Sequence, residues 1–409
     1  MWAGILFCLQ LSTAIMVAAP SQVSFPLTFD EVVPLSDEAW ELLCSRLRQI
    51  DAEAGEHFPH VTEKLVWQTS KSGDWTGGFF PGMLWLAEEE ARRRGDVQNA
   101  GALRAMAIRW TERLAPRQFD TGTHDLGFLF VPTWVEAYRR TGEGKWRTGA
   151  LNAARSLSQR FAPGGFIQSW GAIGQGPYAG TVIIDNMMNL ELLYWAAVEG
   201  EDPRLAEVAT SHAMVTQHHH VRADGGSFHL VDFNRSTGVM LRGRTHQGFL
   251  GHSTWSRGQA WGIAGFALAY CHTREPSFLE TAQRMADFFM RRLPEDRVAP
   301  WDFDAPTPAA KDTSANAIAA YGLLCIAQSL QNEQPLAAAN RAEQARQLLQ
   351  ALHRYSLFAH SEVRHKGGLL TGGTYNFKQG LAVEQSVAWG DYYYLRALLA
   401  LAQWDREQR

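Results

Sequence analysis

The strongest constraint on this chain is a theme that returns six times without repeating its letters. A Gly-rich or polar cluster opens a run that is apolar nearly all round, and an amphipathic run carrying Glu, Arg and Gln on one face follows it. WTGGFFPGMLWLAEEEARR leads to AGALRAMAIRWTERLA, HDLGFLFVPTWVEAYRR to WRTGALNAARSLSQRF, and DNMMNLELLYWAAVEG to PRLAEVATSHAMVTQHH. SRGQAWGIAGFALAYCH leads to PSFLETAQRMADFFMRRL, and TSANAIAAYGLLCIAQSL to NRAEQARQLLQALHRY. The last member, SVAWGDYYYLRALLALAQW, lacks a follower, but SDEAWELLCSRLRQIDAE near the N-terminus can supply one. A helix that is apolar all round needs neighbours on every side, whereas one with a charged face belongs outside. Hairpins about 60 residues apart fall in the range of arrays and closed rings. The pattern therefore predicts an all-α fold, an (α/α)6 barrel of six helical hairpins, forming a single catalytic domain over 22–409. An open solenoid is the alternative, but the N-terminal helix that completes the last pair favours closure.

Antiparallel hairpins place all inner-helix N-termini at one mouth, so the polar clusters that open them converge. They are Asp74-Trp75-Thr76, His124-Asp125, Asp185-Asn186, Ser256 to Gln259, Asp312-Thr313-Ser314 and Ser386 to Asp391. Two longer irregular stretches, about 164–180 and 224–252, are expected to fold over that mouth, and loops of this length are often functional. Asp185 by itself reads as a helix N-cap, whose oxygen would take an orphan backbone N–H and whose charge would suit the helix dipole. The second carboxylate, Asp125, holds the same position on the preceding inner helix. Neighbouring helices lie about 8–10 Å apart, so the two side chains can meet. Two carboxylates at short range do not ionise independently, and one is held protonated near neutral pH.

The remaining composition narrows the chemistry. A net charge of −4 offers no broad basic field, which excludes a nucleic-acid partner. Fifteen Trp is a high count, and many sit beside Gly, Asp, Ser or Arg, as in GDWTGG, QSWGAIG and STWSRGQAW. Flat aromatic faces mixed with hydrogen-bonding groups suit sugar rings, and paired carboxylates in such a cleft point to glycoside chemistry. Residues 1–21 begin with MWAGILFCLQLSTAIMVAA, uncharged and ending in small residues, and read as a signal peptide although no Lys or Arg lies near Met1. Export to the periplasm or extracellular space is expected, and a cytoplasmic location if the segment is not a signal. No other uncharged stretch reaches the ~20 residues needed to span a bilayer, so no membrane association is expected of the mature chain. Cys8 would leave with the signal. Cys44, Cys271 and Cys325 make no metal pattern or disulfide framework and read as buried thiols. His218, His219 and His220 are consecutive and cannot share a helical face, so no metal and no cofactor is called for. GAIGQG reads as a lid.

At this point the motifs identify a family. GDWTGGFFPGMLWLA, HDLGFLF, DNMMNLELLYWA, GGSFHLVDF, THQGF with STWSRGQAWGIAGF, PWDFDAP with KDTSANAIAAYGLL, and WGDYYYLRALLAL run in order from about residue 60 to 400. Together they resemble the unsaturated glucuronyl hydrolases of glycoside hydrolase family 88, more closely than the related unsaturated rhamnogalacturonyl hydrolases. The resemblance implies an unsaturated uronate-containing oligosaccharide as substrate, with the Δ4,5-unsaturated uronic acid removed from the non-reducing end of lyase products. In that family an acid protonates C4 of the vinyl ether and water adds at C5. Asp185 is then the implied acid, later the base for the water, and Asp125 the second essential carboxylate beside His124. His229 and Gln247 are implied to hydrogen-bond the substrate or the water. Trp255, Arg257 and Trp261 would form the wall and charge of the pocket, with Trp75 and Trp170 stacking on the rings. The guanidinium of Arg257 suits a sugar carboxylate or sulfate, or alternatively caps loop carbonyls. Ser386 and Tyr375 lie in the segment that closes the site in relatives, where GGLLTGGTYNFKQGLAVEQ departs from the family pattern. Two other readings stay open on the residues alone. A sugar 2-epimerase would use a pair drawn from His229, His246 and His252, and a carbohydrate-binding protein with a dead site would keep the Trp platforms. The chain is expected to act as a monomer or homodimer.

Overall fold

The computed structural model describes residues 25–409, and the signal peptide expected over 1–21 lies outside the described residues. α1 (Phe29–Val32) is a single turn closed by a Thr28–Glu31 capping box, and α2 (Asp37–Ala54) follows. β1 (Phe58–Glu63) and β2 (Val66–Ser70) pair as an antiparallel hairpin. The hairpins then run in order. α3 (Phe79–Arg94) is followed by α4 (Val97–Glu112), and the broken helix α5 (Leu126–Phe130) and α6 (Glu136–Thr141) by α7 (Gly144–Ser158). β3 (Thr181–Ile183) leads through a 3-10 segment, Ile184–Asn189, into α8 (Leu190–Glu199) and α9 (Pro203–His220). β4 (Leu230–Phe233) and β5 (Met240–Arg244) precede α10 (Ser256–Thr273) and α11 (Pro276–Arg292). α12 (Thr313–Leu330), α13 (Pro335–Leu352) and α14 (Ala388–Glu407) complete the chain.

The inner ring is α3, α5–α6, α8, α10, α12 and α14, each against the next, with α14 returning to α3. These are the helices read as apolar all round. In α12 every residue from Thr313 to Ala327 is buried, whereas in α11 the buried positions form one stripe from Phe278 to Phe289. α2 supplies the missing outer partner. Its Trp40 Nε1 donates to Asp96 Oδ2 at 2.9 Å, its Asp51 Oδ1 accepts from Trp110 Nε1 at 2.7 Å, and its Arg46 Nε donates to Gly367 O at 3.0 Å. The N-terminal helix thus ties the first hairpin to the segment before α14, and the ring is closed.

Three local features differ from the sequence expectation. The second inner helix is interrupted by a π-turn, Val131–Val135, containing Pro132. Proline has no N–H for the helical ladder, so the backbone widens there, and the Thr133 hydroxyl takes up Leu129 O. The stretches expected to be irregular contribute a small antiparallel sheet in the order β3-β4-β5. That sheet is seated on the histidine-rich end of α9: Ile167 N donates to His212 Nδ1 at 2.9 Å, and His220 Nε2 lies 3.1 Å from Val182 O. Cys271, expected to be buried, is exposed at the end of α10, while Cys44 and Cys325 are buried. Among the described residues, no helix is long and apolar enough to cross a membrane. GAIGQG folds around one side chain, with Gln168 Nε2 donating to Trp170 O and Ala172 O while its Oε1 accepts from Gly174 N.

Asp51→Ala tests the closure by α2. Trp110 is fully buried, so losing its acceptor leaves an unsatisfied indole N–H. A loss of about 1–3 kcal/mol is expected in urea denaturation; an unchanged midpoint would mean α2 adds nothing to the ring.

Candidate active site

The N-terminal ends of the inner helices surround a cavity of about 240 Å³ lined by Trp75, His124, Asp125, Trp170, Ile183, Asp185, His246, Gln247, Trp255, Arg257, Trp261 and Tyr375. A larger hollow, about 520 Å³, lies at the opposite end of the barrel, lined by Tyr321, Arg396 and Trp404. Its Glu89 and Glu90 are paired with Arg140 and with Arg93 and Arg94. The two aspartates meet in the smaller cavity because their helix starts are locked together. Asn189 Oδ1 accepts from Phe128 N at 2.8 Å, and a Cβ on Gly127 would fall 2.3 Å from Asn189 Cα. Only glycine admits that backbone approach.

Asp185 does not cap its helix. It sits in the first turn of the 3-10 segment, whose N-cap is Ile183, and no side chain makes a capping bond there. The residue is partly exposed through the cavity, yet its Oδ1 is sealed and has no hydrogen-bond partner. Burial and then the charge of Asp125 hold the Asp185 carboxyl well above the usual carboxylate range, against the pull of its own backbone N–H and of Arg257. Asp125 occupies the N-cap of α5 but is likewise free of capping duty. Thr123 Oγ1 donates to its Oδ2 at 2.5 Å, and His124 Nε2 lies 3.2 Å from its Oδ1. Burial lowers the basicity of His124, so it faces Asp125 as a neutral imidazole.

Four tryptophans border the cavity, but only two can offer a face. Trp255 and Trp261 are 3% and 0% exposed. Trp75 and Trp170 are partly exposed, the first packed on Trp389 at 4.7 Å and the second met edge-on by His246 at 5.7 Å. Arg257 is held through both terminal nitrogens, while its Nε is buried without a partner. Its Nη1 donates to Asp312 Oδ2 at 2.6 Å and to Thr374 O at 2.5 Å, and its Nη2 to Tyr375 O at 2.8 Å. Its plane also lies 4.4 Å from the Trp255 ring centre. It caps loop carbonyls, and its charge reaches Asp185 from that fixed place. Gln247 Nε2 joins it on Tyr375 O at 2.9 Å.

Two expected site residues lie elsewhere. His229 is behind the wall, packed on Trp255 with tilted rings 4.2 Å apart, with Nδ1 2.9 Å from Thr245 Oγ1 and Nε2 sealed without a partner. Burial and neighbouring cations keep it neutral. It does not stand across the cavity from His246, as an epimerase pair would. Ser386 is fully buried, and its Oγ accepts from Gly368 N at 3.0 Å. The segment reaching α14 turns this hydroxyl toward Gly368 and out of the cavity lining. His246 was not expected as a wall residue, although it adjoins Gln247 in THQGF, and Asp312, expected at the mouth without a role, holds Arg257. Thr123 was readable as a hydroxyl two residues before an aspartate. Nothing local marks Asn189 as the clamp.

Gly127→Ala is expected to cost about 1–3 kcal/mol in chemical denaturation, because its methyl meets backbone instead of a movable side chain. By separating the helix starts it also brings the Asp185 carboxyl down toward the ordinary range, which carbon-13 NMR titration reads. Unchanged stability and acidity would show that the clamp does not hold the pair.

No family model matches the chain. It is 39% identical over 352 residues to the unsaturated glucuronyl hydrolase of Bacillus sp. (strain GL1), covering 85% of this chain and 91% of that protein. It is 34% identical to an unsaturated chondroitin disaccharide hydrolase of Streptococcus pyogenes serotype M1, covering 84% and 85%. The crystal structure of the unsaturated glucuronyl hydrolase from Bacillus sp. GL1, responsible for the degradation of glycosaminoglycan, superposes with a TM-score of 0.81 at 36% identity over 88% of this chain and 96% of that one. With this identity along nearly the whole described chain and a matching helical barrel, the protein belongs to the unsaturated glucuronyl hydrolase family of glycoside hydrolases.

Proposed function

We propose that the chain removes the Δ4,5-unsaturated uronic acid from the non-reducing end of lyase-generated disaccharides, with Asp185 as the acid and base of the hydration. The observation that carries this reading is the sealed, unpartnered Oδ1 of a carboxyl whose acidity is suppressed by burial and by Asp125. A protonated carboxyl in that state can give its proton to C4 of the vinyl ether, leaving an oxocarbenium ion at C5. Water adds to C5 and returns a proton to the Asp185 carboxylate, which restores the acid. The hemiketal then opens by breaking the C5–O5 bond, and the hemiacetal exposed at C1 releases the second sugar. The fixed charge of Arg257 eases the moment when Asp185 is ionised, while burial and then Asp125 favour its protonated form.

Trp75 and Trp170 are the two faces available to the sugar rings, and His246, Gln247 and Tyr375 border them. His229 serves by backing Trp255. The positive charges of Lys378 and Arg244 bear on His246, which suits an anionic sugar and supports a glycosaminoglycan disaccharide as the substrate. The uncharged N-terminal run supports export, so that the enzyme meets lyase products outside the cytoplasm.

Lyase-generated disaccharides mixed with the protein should lose the ultraviolet absorbance of the C4=C5 bond. Asp185→Asn is expected to fold and to turn over about 10²–10⁴-fold more slowly; wild-type turnover in that variant would remove Asp185 as the acid. In Asp125→Asn the charge that raises the Asp185 carboxyl is gone, so its acidity rises and the protonated form is lost at lower pH. The alkaline limb of the kcat/KM profile should therefore move to lower pH, and a limb that stays in place would sever the link between the two acids.

A further inference from the structure

Ser386 and Asp391 lie outside the cavity, yet both grip the same segment that enters it. Residues 367–376 run as a strap from beneath α14 to the cavity wall. At the near end, Gly367 O accepts from Arg46 Nε and from Trp67 Nε1, each at 3.0 Å, and Gly368 N donates to Ser386 Oγ at 3.0 Å. Leu370 N donates to Asp391 Oδ1 at 2.9 Å. Asp391 is fully buried, its Oδ2 has no partner, and a Cβ on Gly368 would fall 1.9 Å from that oxygen. Burial drives the carboxyl up to about 7, opposed by the Leu370 and Leu369 N–H groups and by Arg46.

At the far end the strap is part of the site. Thr313 N donates to Gly372 O at 3.0 Å, Thr374 O and Tyr375 O receive Arg257, and Tyr375 O also receives Gln247. The Tyr375 ring lies among His60 at 5.2 Å, Trp389 at 5.3 Å and Trp75 at 6.3 Å. The height at which the strap crosses the mouth therefore sets the place of Tyr375, and through its carbonyls the places of Arg257 and Gln247.

We propose that Asp391, with Ser386 beside it, is a positioning residue: it seats the strap through Leu370 and Gly368 and so shapes the substrate wall without touching substrate. This proposal rests on the hydrolase reading for its kinetic consequence. Asp391→Ala removes the seat, Gly368→Ala lifts the strap off it, and Asp391→Asn keeps an acceptor for Leu370 N. KM for the unsaturated disaccharide is expected to rise about tenfold in Asp391→Ala and in Gly368→Ala, with a smaller fall in kcat, because Asp125 and Asp185 stand on other helices and only the Arg257 charge shifts with the strap. Asp391→Asn should recover most of the loss. The double variant should be no worse than Asp391→Ala alone, since the smaller side chain makes room for the added methyl.

Hydrogen exchange over residues 367–376 is measured in parallel on the same proteins. Faster exchange reaching Thr374 and Tyr375 in Asp391→Ala and Gly368→Ala, restored in Asp391→Asn, supports the proposal. Exchange that stays at wild-type rate at Thr374 and Tyr375 overturns it, as does an unchanged KM in both single variants of an active enzyme. If wild-type protein leaves the alkene absorbance untouched, the hydrolase reading fails, and the exchange arm still decides whether Asp391 seats the strap. Should Asp391→Ala fail to fold, Gly368→Ala carries the same comparison.

Discussion

The functional core of this barrel depends on the close approach of two helix starts, at Gly127 and Asn189. A missing Cβ on one side and an amide oxygen bonded to Phe128 N on the other bring the backbones together. Each start carries an aspartate that makes no capping bond. An N-terminal carboxylate ordinarily lowers its energy by taking orphan N–H groups. Here Asp185 Oδ1 takes nothing, and Asp125 is occupied by Thr123 and His124. That arrangement costs stability, because a desolvated carboxyl with one oxygen left unpartnered favours its neutral form. The same cost raises the pKa of a carboxyl facing an aromatic cavity well above the usual carboxylate range.

The remainder of the molecule holds that pair in a shaped space. Inner helices supply the acids and the floor, where Trp261 packs on Phe128 at 5.0 Å and on Tyr393 at 5.2 Å. The wall is made from non-helical chain, and each piece of it is tied to a helix by a buried polar group. His220 holds β3 just before Asp185, Asp312 holds Arg257, and Arg257 holds the backbone of Thr374 and Tyr375. Displacing one member of such a network leaves its partners unpaired. Site geometry thus follows from a chain of bonds beginning well outside the cavity.

Much of this was legible in the sequence for definable reasons. The alternation of all-apolar and one-sided helices reports which helices have neighbours on every side, and the ring follows from it. The HDLGF and DNMMN blocks place the two aspartates at equivalent helix starts, and the structure brings them into one cavity. His229 and Ser386 were expected in the site on family resemblance, but neither side chain lines the cavity. The π-turn at Val131–Val135 and the exposure of Cys271 depend on how neighbouring helices end and pack, which no local pattern records.

The amino-acid sequence by itself determined the closed helical ring and the residue types at its mouth, because periodicity and local chemistry are properties of short windows of chain. Only the tertiary structure decided which of those residues face the cavity, which support it from behind, and which carboxyl is made less acidic by burial. Those outcomes turn on burial and on contacts between segments as distant as Gln247 and Tyr375, and the energy of a charge depends on what surrounds it in space rather than on what adjoins it along the chain.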